Sequence, residues 1–289
     1  MIDAAALLAV YDAQLRTDSE TAGARVVRRL GPLHCAVFPG GHGFVTYGHP
    51  SHAEAAAIPS LVPCALAIFE DEAASSIEWK TRAHDDIPGL ENALFAAGFS
   101  AEDEESVMLG PAEGLLGAPI PDGVVLERVS GREAILVALS TADRLFGREP
   151  DLDRAGQVLD DIERARARGV PGPQVHVARV AGRIVSCGRL EPVEGSDCAG
   201  LWGGVTDPEF RGRGIYRALR PRRRHLFDAL RPRSRPLIGS LTVRATRPFH
   251  SPDVMLRAAR RHAPRTSPVP LLQIRTQFRP SRRAARRMP

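Results

Sequence analysis

Lysine is almost absent from this chain, which has one lysine (Lys80) beside 38 arginines. We interpret this as a codon bias with no functional meaning. Long hydrophobic runs are also missing: no uninterrupted apolar run reaches the roughly 18 residues of a membrane-spanning helix. The apolar start, Met1–Val10, carries Asp3 and no basic region, so we predict a helix there and not a signal peptide.

Paired cysteines are missing too. The four cysteines show no spacing typical of a disulfide framework or a zinc site, which favours a reducing cytoplasm; they are Cys35, Cys64, Cys187 and Cys198. What is present is an ordinary globular composition. The 289 residues are 43% hydrophobic and 25% charged, which excludes wholesale disorder and predicts one large or two small domains.

The positive charge is confined to the C-terminal part. From Arg220 onwards the chain has 19 arginines and two acidic residues, a balance of +17, whereas residues 1–219 carry −12 and the whole chain +5. The acidic body argues against nucleic-acid binding. The tail itself lacks the interleaved aromatic residues of a nucleic-acid arm, since it has only Phe227, Phe249 and Phe278.

The pattern of elements predicts two domains, residues 1–110 and 124 onwards, joined by a Gly- and Pro-rich linker at 111–123. In the first domain we predict a helix and strands that alternate with a second helix. These elements are Asp3–Leu15, Leu33–Phe38, Gly43–Tyr47, Ser76–Lys80, the helix Ile87–Gly98 with Leu90, Leu94 and Phe95 on one face, and Ser106–Leu109.

In the second domain, residues 124–219, we predict a strand, two helices, a three-stranded meander and the start of a helix. Ser130 and Glu133 have the spacing of a capping box, and Ala181-Gly182 has the composition of a hairpin turn. The elements are Val124–Val129, helices from Ser130 and Asp151 (the latter with Leu152 on its apolar stripe), Val175–Val180, Arg183–Leu190, Cys198–Thr206, and a helix from Ile215.

A glycine-rich loop between the last strand and the last helix is the sharpest motif. Two glycines let the backbone approach a ligand closely, and the first amides of the following helix have no intrahelical partners. Two arginines add positive charge, so the loop is a candidate diphosphate site. An ordinary turn with solvated arginines is the alternative. The loop is Arg211-Gly212-Arg213-Gly214-Ile215-Tyr216.

The stretch Leu201–Leu219 (LWGGVTDPEFRGRGIYRAL) resembles the acetyl-CoA-binding motif of GNAT-type N-acetyltransferases, and the preceding elements come in that family's order. Arg211 and Gly214 fit the family pattern, whereas Tyr216 departs from it at the last position. The resemblance implies that residues 211–216 bind the diphosphate of acetyl-CoA. It also implies that the main chain of Gly204, Val205 and Thr206 contacts the pantetheine arm, and it implies no metal.

The first domain shows a fainter resemblance to the second half of the same fold, in SIEWK, the helix that ends at Gly98-Phe99, and SVMLG. No diphosphate loop accompanies these elements. The predicted fold class is therefore α+β: a GNAT fold with a mixed, mostly antiparallel sheet flanked by helices, and a second, degenerate GNAT-like domain at the N-terminus. An unrelated α/β cap is the alternative for residues 1–110.

Residues 220–289 change character. Pro221 interrupts the helix expected after Gly214, and 10 of the 24 prolines lie in this tail. Either the tail is a diverged second half of the domain, with strands at Leu237–Ala245 and Leu271–Phe278 and a helix at Pro252–His262, or the reading frame has shifted near Arg220. Resequencing the gene distinguishes the two.

The resemblance implies direct transfer of an acetyl group from acetyl-CoA to a small amine or peptide amine in the cytoplasm. The alternative is a catalytically impaired acyl-CoA-binding or structural protein. In the family that the chain resembles, a tyrosine near the later helix often protonates the leaving thiolate, and no tyrosine follows Tyr216 here. No catalytic residue can be assigned. Glu191 is the leading candidate base, ahead of Glu194 and Asp197. His176, and His84-Asp85 beside Lys80, fit structural roles better.

Overall fold

A computed structural model describes residues 4–101, 105–110, 118–219, 241–244, 271–274 and 278–280. The chain forms two compact units. We call residues 8–107 with 271–289 the N-terminal unit, and residues 1–7 with 108–270 the C-terminal unit. The domain boundaries proposed from the sequence stay predictions, and most of the linker lies outside the described residues.

The N-terminal unit has a mixed sheet with helices packed on it. Its elements are α1 (Ala4–Gln14, which begins in the other unit), β1 (Val26–Leu30), β2 (Leu33–Val37), β3 (His42–Tyr47), α2 (His52–Ala57), α3 (Val62–Asp71), β4 (Ser76–Trp79), α4 (Leu90–Ala96), β5 (Phe99–Ala101) and β6 (Glu105–Met108). Short 3-10 turns occupy Ile58–Leu61 and Ala83–Asp85.

Most strands of this sheet are antiparallel, but β3 and β4 run parallel. The order is β1-β2-β3-β4-β13-β5, where β13 (Phe278–Pro280) comes from the end of the chain and pairs with β4 and β5. The core lies between the sheet and α3, where Trp79, Tyr47 and Phe69 are among the largest fully buried side chains. The carboxyl ends of the parallel pair β3 and β4 therefore lie side by side.

The C-terminal unit begins with β7 (Val124–Val129), followed by α5 (Arg132–Leu145) and α6 (Leu152–Ala167). Strands β8 (Gln174–Val180), β9 (Arg183–Pro192) and β10 (Ala199–Thr206) form the meander, and α7 (Ile215–Leu219) and β11 (Leu241–Arg244) come next. Strands β7, β8, β9 and β10 pair antiparallel in chain order, while β11 pairs parallel to β10. Strand β12 (Leu271–Ile274), like β13, lies in the segment that is assigned to the N-terminal unit.

Some details of the predicted helices differ from the structure. The capping box predicted at Ser130 and Glu133 is wrong, because α5 starts from Gly131 at φ 85° with no side-chain cap. Asp151 does cap α6, since its carboxylate accepts from the Arg154 amide at 2.9 Å. Phe95 and Leu152, which we expected on apolar faces, are 50% and 65% exposed.

Some elements of the structure were not predicted from the sequence. Strand β1 and helices α2 and α3 were not predicted. The two strands expected in the tail are represented by β11, β12 and β13, while the helix predicted at Pro252–His262 lies outside the described residues.

One stretch is long and apolar enough to span a membrane by length and composition alone, which corrects the expectation that none exists. This is His52–Asp71, with a mean hydropathy of 1.5. It comprises α2, a 3-10 turn and α3, and its side chains Ile58, Val62, Ala65 and Phe69 belong to the core of the N-terminal unit.

Candidate functional site

A β-bulge interrupts β10 where the sequence has two consecutive glycines. Trp202 pairs with Arg189 and Val205 pairs with Cys187, so Gly203 and Gly204 together face a single residue of β9. Gly203 has φ 61°, in the left-handed region that favours glycine. A bulge of this kind bends the strand and releases backbone groups from the ladder.

The described part of the parallel neighbour β11 pairs with Ala199, Gly200 and Leu201, ahead of the bulge. Beyond the bulge two carbonyls of β10 already accept hydrogen bonds, that of Val205 from Ser186 Oγ at 2.7 Å and that of Thr206 from Arg211 Nε at 3.0 Å. Strand hydrogen-bonding groups alternate between the two edges, so only part of the main chain of Gly204, Val205 and Thr206 faces away from β9. These are the three residues that the sequence analysis selected for the pantetheine arm.

The loop after β10 is held by its own side chains. Asp207 caps the 3-10 turn Pro208–Phe210 by accepting from the Glu209 amide at 3.0 Å. Arg211 Nε donates to the Thr206 carbonyl at 3.0 Å. Arg213 donates to the Glu209 carbonyl at 3.2 Å. These contacts fix the entrance of the loop.

A row of backbone amides follows this entrance. Gly212 and Gly214 have φ 76° and 79°, and the Ala218 amide donates to the Gly214 carbonyl at the start of α7. Within the described part of the chain, no backbone hydrogen bond is donated by residues 212–215. Amides in such a bend can converge on an anion. The structure thus brings the loop residues together at the carboxyl end of β10.

An ion pair anchors the loop to the neighbouring hairpin. Arg183 on β9 pairs with both Asp207 and Glu209. Burial would raise the pKa of Asp207, but the hydrogen bond from the Glu209 amide and the Arg183 guanidinium hold that pKa below its usual value. Asp207 therefore stays ionised at neutral pH, and its charge is balanced.

Tyr216 lies against the sheet. A Cβ built on Gly204 would overlap the Tyr216 hydroxyl and lie 2.7 Å from Cε2, and a Cβ on Gly188 would lie 3.5 Å from the same ring. The ring therefore occupies room that two glycines leave on one face of β9 and β10. Because strand hydrogen-bonding groups lie in the plane of the sheet, a ring on the face does not cover them.

The three candidate carboxylates have different surroundings. Glu191 on β9 is opposite Gly200, and its Oε1 accepts from Arg189 Nε at 2.8 Å. Burial raises the pKa of Glu191, and Arg189 opposes this effect only in part. Glu194 is exposed and pairs with Arg168, and Asp197 is exposed. Glu191 is thus the one carboxylate of the three that is half-buried.

The histidines singled out in the sequence have structural partners. His176 is buried, and its Nε2 lies 3.3 Å from Gln174 Oε1. His84 and Asp85 do not form a triad with Lys80, whose ammonium contacts Glu20 at 2.6 Å. Their contacts include no nucleophile in the described residues.

His84 instead belongs to a charged cluster in the N-terminal unit. Asp12, His49 and His84 place ligand atoms within 4.8 Å of one another, a spacing that could hold a metal ion. The guanidinium of Arg16 already occupies this cluster, since it pairs with Asp12 and Asp85 and lies 2.7 Å from His84 Nε2. A cation there would face a buried positive charge, so these residues do not fit a metal well.

Sequence reasoning missed the part of the site that depends on long-range packing. The bulge at Gly203 and the packing of the Tyr216 ring against Gly188 were not predicted. The signal for the first was present, because consecutive glycines inside a strand often mark a bulge.

No family model matches the chain, and no curated protein matches its sequence. Solved structures do. A GCN5-related N-acetyltransferase from Kribbella flavida is 15% identical with a TM-score of 0.56, and the match covers 91% of this chain and 93% of that one. Another from Sphaerobacter thermophilus is 17% identical with a TM-score of 0.55, covering 86% and 76%. A tandem GNAT protein from the clavulanic acid biosynthesis pathway is 15% identical with a TM-score of 0.53, covering 87% and 80%.

These similarities show the fold. The chain has the GNAT fold, with mixed, mostly antiparallel sheets and flanking helices, which confirms the fold class expected from the sequence. One of the similar structures is itself a tandem GNAT protein.

Proposed function

We propose that this protein is an N-acetyltransferase that transfers an acetyl group from acetyl-CoA to an amine. In this proposal the amides and arginines of residues 211–216 bind the diphosphate, and the main chain of Gly204, Val205 and Thr206 binds the pantetheine arm. The observation that carries the proposal is the row of amides at residues 212–215, which follows directly on β10 and has no backbone partner among the described residues.

The reaction that fits this arrangement is direct transfer. The amine nitrogen attacks the thioester carbonyl, the C–S bond breaks, and the thiolate of coenzyme A leaves. A backbone amide released by the bulge at Gly203 would polarise the carbonyl oxygen as its negative charge develops. The amine must lose a proton during this step, so a base near the bulge is required.

Glu191 is the proposed base for that proton. It lies on β9 two residues beyond Arg189, which pairs with Trp202 next to the bulge. Burial raises its pKa, and a raised carboxyl pKa brings a general base closer to the pH at which it works. Its ion pair with Arg189 keeps the carboxylate in place.

The acceptor in this proposal is a small amine or a peptide amine, and the reaction takes place in the cytoplasm. The four cysteines are free, which agrees with a reducing compartment.

A second candidate is an acyl-CoA-binding protein without turnover. Tyr216 stands where the family pattern has a small residue, and no tyrosine follows it in the sequence. A site that lacks a proton donor for the thiolate would bind acetyl-CoA and transfer acetyl poorly.

A thermal-shift titration with acetyl-CoA tests the binding site. Binding to the native state raises its stability, by about 2.7 kcal/mol at one hundred times Kd. We expect Gly214→Glu to abolish the shift through steric block and charge repulsion. Gly195→Glu is the matched control, because Gly195 also has a positive φ (76°) and open space but lies in the turn at the other end of β10.

An unchanged shift in Gly214→Glu would remove the loop from the binding site. Incubation with labelled acetyl-CoA and a panel of amines then separates the two functions. Transfer of label to an amine identifies a transferase, whereas a cofactor shift without transfer identifies the binding protein.

A further inference from the structure

The two faces of the sheet differ in chemistry where β9 and β10 pass the bulge. On the face that α5 covers, Cys187 and Val205 lie opposite each other and are buried, and the Cys187 thiol lies 3.6 Å from the Ala138 carbonyl of α5. Side chains alternate along a strand, so Arg189 and Glu191 follow Cys187 on this same face. We call it the α5 face, and it carries the proposed base with its ion pair.

The opposite face is apolar and lies against α7, so we call it the α7 face. Gly188 and Leu190 of β9 belong to it, and Leu201 of β10 lies opposite Leu190. Both leucines are buried. A Cβ built on Gly188 would lie 3.5 Å from the ring of Tyr216 and 3.9 Å from Leu219 Cδ2. An alkyl group on this face would therefore meet apolar surface.

The Tyr216 ring leaves little room on the α7 face. The cavity between α7 and the sheet has a volume of about 10 Å³, which is the lower limit for a single water molecule. Tyr216 also crosses Gly204, where a built Cβ would overlap the tyrosine hydroxyl. The phenol group thus fills the space that would otherwise connect the bulge with the cavity. The lining of the cavity comprises His176, Gly188, Arg189, Leu190, Leu201, Tyr216 and Leu219.

An acyl group bound at the bulge would contact this ring. Tyr216 is half-buried and Gly204 is exposed, so a ligand can reach both. In the proposed function a backbone amide of the bulge polarises the thioester carbonyl, and the amine enters from the side of Glu191. The alkyl part of the acyl group must leave that side free, and the apolar α7 face is the favourable place for it.

We propose that Tyr216 sets the length of the acyl group and restricts the donor to acetyl-CoA. This inference rests on the proposed function, since it requires an acyl-CoA at β10. The ring closes the way into the cavity, so a butyryl group finds no space on the α7 face. A smaller side chain at residue 216 joins the space of the ring to the cavity and admits the longer chain.

Calorimetric titration of the full chain with acetyl-CoA and butyryl-CoA tests the proposal. The two ligands differ only by two methylene groups, so the ratio of their affinities cancels the contributions of the diphosphate and the pantetheine arm. We expect the wild type to bind acetyl-CoA tighter by about fivefold or more, because extra methylene groups are unfavourable in a filled space. In Tyr216→Ala the order should reverse, since each buried methylene group strengthens binding about fourfold, or roughly 15-fold for two.

Tyr216→Phe is the matched control. It keeps the ring and removes only the hydroxyl, so it should retain the preference for acetyl-CoA. Tyr216→Leu is a second variant of intermediate size that can still cover Gly188, and it should shift the ratio towards butyryl-CoA by less than alanine does. A purely structural role of the ring would weaken both ligands together and leave the ratio of their affinities unchanged.

Two results would overturn the proposal. One is a wild-type chain that binds butyryl-CoA as tightly as acetyl-CoA. The other is a ratio of affinities that is the same in the wild type and in all three variants. In both cases acetyl-CoA still binds, so the proposed function stands. If neither compound binds the wild type, the proposed function fails together with this inference.

Discussion

Gly204 and Tyr216 should be energetically coupled, because the tyrosine ring fills the space that a side chain at residue 204 would need. In Gly204→Ala the new methyl group would overlap the Tyr216 hydroxyl and approach Cε2 to 2.7 Å. Overpacking of this kind costs about 1–3 kcal/mol. In a Tyr216→Ala background the obstacle is gone, so the same glycine substitution should cost close to nothing.

Gly203→Ala is a control in which the loss of stability has a different physical cause. Gly203 has φ 61° and no atom within 4 Å of a built Cβ, so its substitution costs backbone strain of about 1–2 kcal/mol and no packing energy. That cost should be the same with tyrosine or alanine at residue 216. The two glycines are neighbours in sequence, yet the double-mutant cycles are expected to differ.

Hydrogen exchange of peptides that cover residues 199–219 is the appropriate measurement, because it reports the opening free energy of this region without contribution from the other unit. Wild type, the three single variants and the two double variants are compared. If Gly204→Ala costs the same in both Tyr216 backgrounds, the ring does not occupy the space against β10.

Further predictions concern the N-terminal unit and the cysteines. Glu20→Gln should destabilise the unit by about 3–5 kcal/mol, because it leaves the buried charge of Arg82 without its counterion; urea unfolding measures this. Burial would raise the pKa of Glu20, but Lys80 and Arg82 lower it to about 2. The stabilisation is therefore full above the unfolded pKa of about 4.5 and is lost as the pH falls towards 2, which an acid titration followed by circular dichroism would show. Tyr47→Phe should leave stability unchanged or raise it by up to about 1 kcal/mol, since it removes an unsatisfied hydroxyl; a clear loss would contradict the absence of a partner. At pH 8, iodoacetamide should label Cys64 alone in the native chain, because the other three thiols are buried; mass spectrometry of a second labelled thiol would refute this.

Local patterns in the sequence predicted several elements of the C-terminal unit. The strand β7 was predicted with its observed bounds, and the hairpin of β8 and β9 followed from Ala181-Gly182, where both residues have positive φ. The glycine loop was located because its residues are contiguous. These features depend on neighbours in sequence, and so they can be read from it.

Two failures have physical reasons. The spacing of Ser130 and Glu133 suggested a capping box, but the chain turns from β7 into α5 through Gly131 at φ 85°, so Ser130 is one residue too early to cap. Helices α2 and α3 were missed because two prolines interrupt the stretch, although its alanines favour a helix. Pro59 and Pro63 lie at the first positions of helical segments, where a missing amide is tolerated.

The same position of the sheet is followed by different residues in the two units. Both β3 and β10 lie between an antiparallel and a parallel neighbour, and each leads into a helix. After β3 the helix starts with a capping box, in which the Glu54 carboxylate accepts from the Ser51 amide at 2.8 Å and the Ser51 amide and hydroxyl hold the pKa of Glu54 below its usual value. An anion would meet a carboxylate there.

After β10 the corresponding position carries glycines and arginines, and the two carboxylates of its entrance, Asp207 and Glu209, are turned to Arg183. The amides that follow have no acidic side chain to satisfy them among the described contacts. Local capping thus explains why a diphosphate site is proposed in the C-terminal unit alone.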